Sequence, residues 1–321
     1  MKKKLMMFFG AFLVIYVFNF FIPRLMPGDP FQYTSAVSGE DLTQEYSEEQ
    51  LKQLRAYYGM DQPLGKQFLN TLTGNLRGDF GQSIHYKTSV ASVMLSRLPW
   101  SLGIMGVNLA VSLVVGIFLS LLSVRKKGAD RLLYAFFSAI SEIPPFLIGL
   151  VLLFLVAAKV SWIPLSGGVT AFAKFEKTGE FVKDLLLHAL LPCASLCIVT
   201  VPGFYFTARA SFLTIQNKPY VLQGKAKGLK ERRIRFHYIL RNAVTPIIAK
   251  IFLSVGNLVG GTLLVENVFA YPGIGIVMRE AVRYRDYPMI QGVFLLSAVI
   301  VLISMLAADL LNSSADGRPE S

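Results

Sequence analysis

Few side chains in this sequence have the chemistry of catalysis or metal binding. Cys193 and Cys197 lie four positions apart in an apolar stretch, so on a helix the two thiols share a face. Together with the nearby His188 they provide no closed four-ligand metal site, and we predict that both cysteines pack as small apolar residues. The other histidines, His85 and His237, fall in different segments, so neither a metal site nor a nucleophile–base pair is expected.

The sequence also contains no GxxxxGK(S/T) phosphate-binding loop. In such a loop, backbone N–H groups and a lysine hold the phosphates of a nucleotide. The chain is therefore not expected to bind ATP or to be an enzyme. If ATP and Mg²⁺ drive its function, they are used by a separate subunit.

Glu142 is an acidic residue inside a long apolar stretch, residues 132–158. It lies about 16 Å along the expected helix at 1.5 Å per residue, near the centre of a bilayer, where a charge is costly and usually faces a pore or a partner. Pro144 and Pro145 follow it, and two prolines kink a helix and free carbonyl groups. With Asn257, these residues are candidates for lining a translocation pathway. A protonated or partner-paired structural role is the alternative for Glu142.

The elements that position these residues are predicted to be membrane helices. The chain is 53% hydrophobic and 16% charged, with a mean hydropathy of +0.51, which departs strongly from a soluble domain. The sequence predicts an all-α polytopic protein with about six spans: residues 5–22, 99–124, 132–158, 186–208, 244–269 and 289–311. In the fifth span Gly256, Gly260 and Gly261 allow close helix packing, and Glu266 is expected to be solvated near its outer end.

Positive charge flanks these spans. The net charge is +12, and half of the 32 Lys and Arg residues lie in three segments, 2–4, 125–131 and 209–241. This is the pattern of cytoplasmic loops, so both termini are predicted inside and residues 24–97 outside. No nucleic-acid partner is expected, because nucleic-acid-binding folds do not interleave apolar runs of this length. The first apolar run is too long for a signal-peptide core and lacks a small-x-small site, which predicts an uncleaved helix.

Residues 24–97 contain two predicted amphipathic helices. Ser47 and Gln50 form a capping box for the first helix, and Gly59 supplies its stop. The second helix follows Pro63. The apolar faces of these helices form either an extracellular cap over the membrane helices or a docking surface for another protein.

The basic loop at residues 209–243 has too regular a pattern for a flexible linker. Helix-forming residues precede Gly228, which acts as a helix stop, and a second short helix follows at 230–240. The residues of this second helix predicted to point inward are Ile234, Phe236 and Tyr238. The predicted organisation is an N-terminal helix at 1–23, an extracellular insertion at 24–97, a five-helix core at 98–312 and a cytoplasmic tail at 313–321. The core contains the loop at 209–243.

This loop resembles the EAA loop in membrane subunits of ATP-binding cassette importers, through GKAKGL at 224–229 and LRNA with Pro246 at 240–246. The chain as a whole resembles the dipeptide, oligopeptide and nickel permease family. The matching motifs are LMPGDP at 25–30, LRGDFGQS at 76–83, RLPWSL at 97–102, IPPFLIGL at 143–150, VENVFAYPGIG at 265–275 and RDYP at 285–288. The sequence departs from the family at Thr214 in place of a usual glutamate, at Gly224 where alanine is commoner, and after Asp309, where an aspartate–proline–arginine tail is absent.

The resemblance implies the type I importer permease fold in a prokaryotic cell membrane, surrounded by lipid. It also implies a homologous second permease subunit, two cytoplasmic ATPase subunits that use ATP and Mg²⁺, and an extracellular solute-binding protein. The loop at 209–243, called the coupling loop below, would contact the ATPase through Tyr220, Gly224, Ala226, Gly228, Leu229, Arg241 and Asn242. Peptides are the expected solute, with nickel or another small solute left open. The alternative class is a secondary transporter or channel, although the two halves show no convincing inverted repeat.

Overall fold

The computed structural model describes residues 2–26, 30–31, 46–124 and 127–315. Parts of five predictions therefore lie outside the described residues: residue 1 of the N-terminal helix, 27–29 of the LMPGDP motif, 32–45 of the extracellular insertion, 125–126 of the basic link and 316–321 of the tail. Within the described ranges the chain is built from helices. They are α1 Lys2–Arg24, α2 Glu48–Tyr57, α3 Leu64–Leu76, α4 Val90–Ser123, α5 Lys127–Ile140, α6 Pro145–Leu152, α7 Thr178–Ile215, α8 Pro219–Ala226, α9 Glu231–Arg233, α10 Arg241–Val268, α11 Ile274–Arg283 and α12 Tyr287–Ala315. Two π-helical stretches extend this set, Leu153–Ala157 after α6 and Ile234–Leu240 between α9 and α10.

The membrane-spanning helices agree with the sequence prediction in number and type. Five of the described helices are long and apolar enough to cross a bilayer, and a bent helix pair gives up to six spans. The bent pair is Gly128–Ile140 with Pro145–Ala157, at an angle of 94°. The break is sharper than the predicted kink, because Pro144 and Pro145 supply no N–H groups and the residue before a proline avoids the α conformation.

The two amphipathic helices of the insertion form where the sequence predicts them. The Ser47 hydroxyl accepts a hydrogen bond from the Gln50 N–H at 3.3 Å, and the Gln50 side chain accepts one from the Ser47 N–H at 2.9 Å. This is the predicted capping box at the start of α2. Gly59 has a φ of +66° just after the end of that helix, in the left-handed region that glycine adopts readily.

The chain divides into two compact units. The first comprises Met1–Ser101 and Pro272–Val299. Inside it, α1 packs on α3 through edge-to-face rings, with 5.1 Å between the centroids of Phe20 and Phe68. The start of α4 lies so close to α12 that a Cβ at Gly292 would come within 2.6 Å of Val90 Cγ1, so only glycine fits there.

The second unit comprises Leu102–Tyr271 and Ile300–Ser321. A Cβ at Gly116 of α4 would lie 2.6 Å from Phe204 Cβ of α7, so these two helices are in backbone contact. Near the end of α10, the Phe269 carbonyl accepts a hydrogen bond from the Gly167 N–H at 2.9 Å. This packing makes one sequence prediction wrong: Glu266, expected to be solvated, is fully buried.

Candidate functional site

The coupling loop is a continuation of the membrane helices rather than a separate linker. Helix α7 extends to Ile215, a three-residue turn follows, and Pro219 opens α8 at its first position, where a missing N–H costs nothing. Beyond Gly228, α9 passes through the π-helical stretch into α10 without a break. The predicted order of helix, glycine stop and second helix is confirmed, but the second helix is not short, because it continues into α10.

The turn at Gly228 is a complete Schellman motif. The Leu229 N–H donates to the Gly224 carbonyl at 3.2 Å, and the Gly228 N–H donates to the Lys225 carbonyl at 2.9 Å. These two bonds satisfy carbonyl groups left open at the end of α8. Gly228 has a φ of +70°, and a Cβ placed on it would meet no atom within 4 Å. Glycine is therefore favoured here by the backbone conformation, and not because space is limited.

The inner face of the coupling loop is a small apolar core. Val221 of α8 is fully buried, and Ile234 is 4% exposed. Both belong to a cluster with Phe212 and Ile215 of α7 and Ala243 of α10. Burying a side chain such as that of Val221 contributes about 1.5–3 kcal/mol, so this core fixes α8 rigidly to the two membrane helices.

The outer face of the loop combines exposed apolar and basic side chains. Tyr220 is 39% exposed and Leu222 is 52% exposed, and Ala226 and Gly228 are exposed at the turn. Exposed lysines surround them at positions 225, 227 and 230. Exposed apolar groups rimmed by charge are typical of a surface that binds another protein.

Three residues at the end of the loop were assigned directions from the sequence. Ile234 and Tyr238 point inward as predicted, since Ile234 is buried and Tyr238 packs on the apolar core. The prediction for Phe236 is wrong, because its side chain is 55% exposed. Arg241 and Asn242 are also exposed, and the Asn242 side chain donates to the Tyr238 carbonyl at 2.6 Å.

The candidate pathway residues lie on two elements of the second unit. Glu142 is exposed in the turn between α5 and α6, where Pro144 caps α6 and Pro145 is its first residue. Asn257 is exposed on α10. In the described part of the chain, the Glu142 carboxylate has no ion-pair or hydrogen-bond partner. An intramembrane carboxylate in this state is expected to face water, solute or a partner subunit.

The glycines of α10 differ in what they contact. A Cβ at Gly261 would lie 3.2 Å from Pro145 Cγ, so α10 passes close to the start of α6 there. A Cβ at Gly256 would lie 3.7 Å from Val301 of α12, an ordinary contact, and one at Gly260 would meet nothing within 4 Å.

Lys250 is an intramembrane residue that the sequence analysis missed. It lies on α10, half-buried, with its side chain against Gly203 of α7: a Cβ at that glycine would be 2.9 Å from Lys250 Cε. No ion pair or hydrogen bond joins its ammonium group to any described residue. A basic residue within an apolar run was visible in the sequence, and intramembrane lysines are rare enough to mark function.

An ion pair at the base of the coupling loop was also missed. Arg209 of α7 donates two hydrogen bonds to Asp130 of α5, from Nε at 2.5 Å and Nη2 at 2.6 Å. The Arg209 guanidinium also lies 5.1 Å from the centre of the Tyr134 ring. Side chains 79 positions apart leave no periodic signal, so only the acidic residue in the first turn of α5 hinted at this pair.

The cysteines are both free thiols inside α7, Cys193 buried and Cys197 half-buried. His188 makes its ring contact with the Asp184 carbonyl, at 2.9 Å from Nδ1. Among the described residues, no group of three or more His, Cys, Asp and Glu side chains is placed to hold a metal ion.

In the first unit, two motifs from distant parts of the sequence form a buried polar cluster, called the Asp286 cluster below. The fully buried Asp286 carboxylate accepts hydrogen bonds from the Ser83 hydroxyl, from the His85 N–H at 3.0 Å and from the Met289 N–H at 3.1 Å. The His85 ring stacks on Tyr284, with 3.9 Å between centroids.

The neighbouring Tyr86 hydroxyl donates to Glu280. Burial, and then the hydrogen bond to Glu280, raises the pKa of Tyr86, so the phenol stays protonated and remains a donor. The Asp286 cluster therefore joins the LRGDFGQS and RDYP motifs through side chains that are largely inaccessible to a partner.

These features define a polytopic α-helical membrane protein with a helical loop that is packed on two membrane helices and exposed on its outer face. The family model of the "binding-protein-dependent transport system inner membrane component" matches residues 112–319. The chain belongs to this family, whose members are membrane components of transport systems and not catalytic subunits. The resemblance seen in the motifs is confirmed, and so is the all-α polytopic fold of a type I permease.

Curated relatives cover nearly the whole chain. The oligopeptide transport system permease protein AppB of Bacillus subtilis is 31% identical over 99% of this chain and 98% of that protein. The dipeptide transport system permease protein DppB of Escherichia coli is 29% identical over 98% and 97%. The di/tripeptide transport system permease protein DppB of Pseudomonas aeruginosa is 29% identical over 97% and 94%.

Proposed function

We propose that this chain is the permease subunit of an ATP-driven peptide importer and forms half of the translocation pathway. Three full-length relatives are named for oligopeptides, dipeptides and di/tripeptides, which favours peptides over nickel as the solute. The single observation that carries the mechanism is the rigid Schellman turn at Gly228, with its exposed apolar and basic surface.

The coupling loop acts as a mechanical link in this proposal. Coupling needs an element whose arrangement both partners influence. The loop meets this condition because its inner face is packed on α7 and α10, and its outer face is open to a partner. ATP and Mg²⁺ would be used by two ATPase subunits that seat this loop, while a second homologous permease completes the pathway and a solute-binding protein delivers the peptide.

Glu142, Asn257 and Lys250 are the pathway residues in this proposal. All three are polar groups on membrane elements of the second unit, and the two charged ones have no partner in the described residues. Water, solute or the second permease subunit would complete their environment. Pro144 and Pro145 support the pathway indirectly by creating the break that exposes Glu142.

The function is tested by uptake of radiolabelled alanyl-alanine into proteoliposomes that contain this chain with its cognate permease, ATPases and binding protein. Uptake is expected to require ATP and every subunit. Movement of the dipeptide by this chain alone, driven by a proton or sodium gradient, would replace the importer proposal with a secondary transporter.

The orientation is tested by labelling with a membrane-impermeant maleimide. In a Cys193→Ala, Cys197→Ala background, Glu48→Cys on α2 should react from outside intact cells and Lys230→Cys in the coupling loop should not. Both positions are exposed, so accessibility on the protein surface is matched. Labelling of Lys230→Cys from outside would reverse the topology and place the loop away from any cytoplasmic ATPase.

A further inference from the structure

A cavity of about 430 Å³ with both polar and apolar walls lies within the first unit. Its walls come from the end of α1, from α3 and the loop that follows it, and from the start of α12. Cavities of about 300–1,000 Å³ with a few placed polar groups are typical of small-molecule sites. Among the residues that line this one are Arg24, Asn75, Asp79 and Gln82.

Arg24 supplies a positive charge that only neutral groups hold in place. Its Nε and Nη2 atoms donate to the Gln67 side-chain oxygen at 3.2 and 3.1 Å, and Nη1 donates to the Phe20 carbonyl at 2.8 Å. The guanidinium carbon lies 3.6 Å from the centre of the Phe20 ring. A guanidinium has five N–H donors, so part of its capacity is unused. A half-buried cation without a carboxylate is incompletely compensated.

Asp79 supplies the opposite charge on the same cavity. One of its oxygens accepts the Gly81 N–H at 2.9 Å, which leaves the other oxygen available. Within the described ranges, neither Arg24 nor Asp79 takes part in an ion pair, with each other or with another residue. Asp79 is exposed and Arg24 is half-buried, so each charge remains open to a ligand in the cavity.

The remaining polar walls are side-chain amides and the hydroxyl groups of Thr71, Tyr57, Tyr58 and Tyr287. The Asn75 amide nitrogen donates to the Tyr16 hydroxyl at 3.0 Å, so its carbonyl oxygen can accept another hydrogen bond. Tyr58 also lines the cavity. Its hydroxyl donates to the Ser83 carbonyl at 3.4 Å, so its oxygen remains available as an acceptor. Amide and hydroxyl groups match the donors and acceptors of a peptide bond.

We propose that this cavity binds the zwitterionic ends of a short peptide, with Arg24 holding the carboxylate and Asp79 holding the ammonium group. A guanidinium fork matches the two oxygens of a carboxylate. The inference rests on the proposed peptide transport and deepens it, because it gives the permease a solute site of its own in addition to that of the binding protein.

The test crosses two variants with three ligands. This chain is purified with its second permease and ATPase subunits in phosphatidylcholine nanodiscs, without binding protein, and titrated calorimetrically with alanyl-alanine, its C-terminal amide or its N-acetyl derivative. Arg24→Gln should weaken binding of alanyl-alanine about tenfold or more, since hydrogen bonds to charged groups contribute about 1.5–3 kcal/mol. The same variant should bind the amide as the wild type does.

Asp79→Asn should show the complementary pattern, weakening alanyl-alanine but not the N-acetyl derivative. Asp61→Asn removes an exposed carboxylate of the same unit that does not line this cavity, and should change nothing. If the neutral Arg24→Gln variant fails to assemble, Arg24→Lys is used in its place, because it keeps the positive charge. With Arg24→Lys, binding of alanyl-alanine should fall less than it falls after loss of charge.

Three outcomes would overturn the site. Equal weakening of all three ligands by both variants would indicate a structural effect. A second outcome is that the wild type binds no peptide, while its thermal stability depends on Arg24 and differs between phosphatidylethanolamine and phosphatidylcholine nanodiscs. That result would assign the cavity to a lipid headgroup. If the variants bind all three peptide ligands as the wild type does but associate differently with the binding protein, the cavity would be assigned to docking of that protein. Uptake by the complete wild-type complex is measured separately, so a failure of this site is distinguishable from a failure of peptide transport.

Discussion

The Asp286 cluster and the coupling loop are both built from recognisable sequence motifs, but their side chains serve opposite ends. In the cluster, Ser83 and Asp286 are fully buried and bind each other. In the coupling loop, Ala226 and Gly228 are exposed, and only the apolar underside is buried. A motif alone therefore does not show whether its residues join parts of the fold or are open to a partner. The burial of its polar residues distinguishes the two cases.

The largest expected effect follows from removing the central carboxylate of the cluster. Asp286→Ala would leave the Ser83 hydroxyl and the N–H groups of His85 and Met289 without their acceptor. Each unsatisfied buried group costs about 1–3 kcal/mol, so the loss of all three bonds should cost about 3–9 kcal/mol of stability. The measurement is thermal unfolding of the detergent-solubilised complex.

Asp61→Ala is the matched control for this prediction, because it removes an exposed carboxylate from the same unit. It should shift unfolding little, as surface substitutions usually do. If the two variants unfolded at the same temperature, the Asp286 cluster would not be an internal connection and the comparison with the coupling loop would fail.

An intermediate effect is expected at the Schellman turn of the coupling loop. Gly228→Val places a β-branched residue at a φ of +70°, and the left-handed conformation costs an L-residue about 1–2 kcal/mol. The variant should leave the permease subunits inserted and paired but should lose uptake and co-purify less ATPase.

Gly228→Asn tests whether an effect at Gly228 comes from the backbone conformation of the turn or from the contact with the ATPase. Asparagine tolerates the left-handed region, and no atom lies within 4 Å of the added Cβ position. Uptake by Gly228→Asn should therefore approach that of the wild type, with Lys218→Ala as a surface control. Full uptake by the valine variant would remove the coupling role from this loop. Loss with both Gly228 variants would show that the ATPase requires the bare glycine backbone.

Local patterns predicted what is local in this fold. Apolar runs of span length gave the membrane helices, because a bilayer enforces helical hydrogen bonding along each run. The Ser47 cap and the Gly228 stop were readable because a cap or a stop depends on neighbours within a few positions. The coupling loop was located through the resemblance, and its helix–glycine–helix order through these stops.

The errors occur where distant contacts or the exact helix face decide. Phe236 was assigned inward as an apolar residue, but residues two positions apart do not share a helix face, so beside the buried Ile234 its side chain is exposed. Glu266 was placed in solvent from its position near a helix end, yet it is fully buried. Asp286 and Ser83 meet across 203 positions, and no periodic pattern encodes that pairing.

The smallest effect concerns Gly224, one turn before the stop, where the sequence departs from the commoner alanine. Gly224 lies inside α8, and a Cβ there would sit 3.6 Å from Leu229 Cδ1 and 3.9 Å from Tyr238 Cε1, which are ordinary contacts. Alanine in a helix is favoured over glycine by about 0.5–1 kcal/mol, so Gly224→Ala should raise the unfolding temperature slightly and leave uptake unchanged. The same substitution at Gly228 should lower that temperature, because alanine there must adopt a positive φ. Opposite signs at two glycines of one motif would establish that the inner face of the loop is limited by helix propensity and the turn by backbone conformation. A loss of stability at both would mean that the underside of α8 is packed more tightly than its contacts indicate.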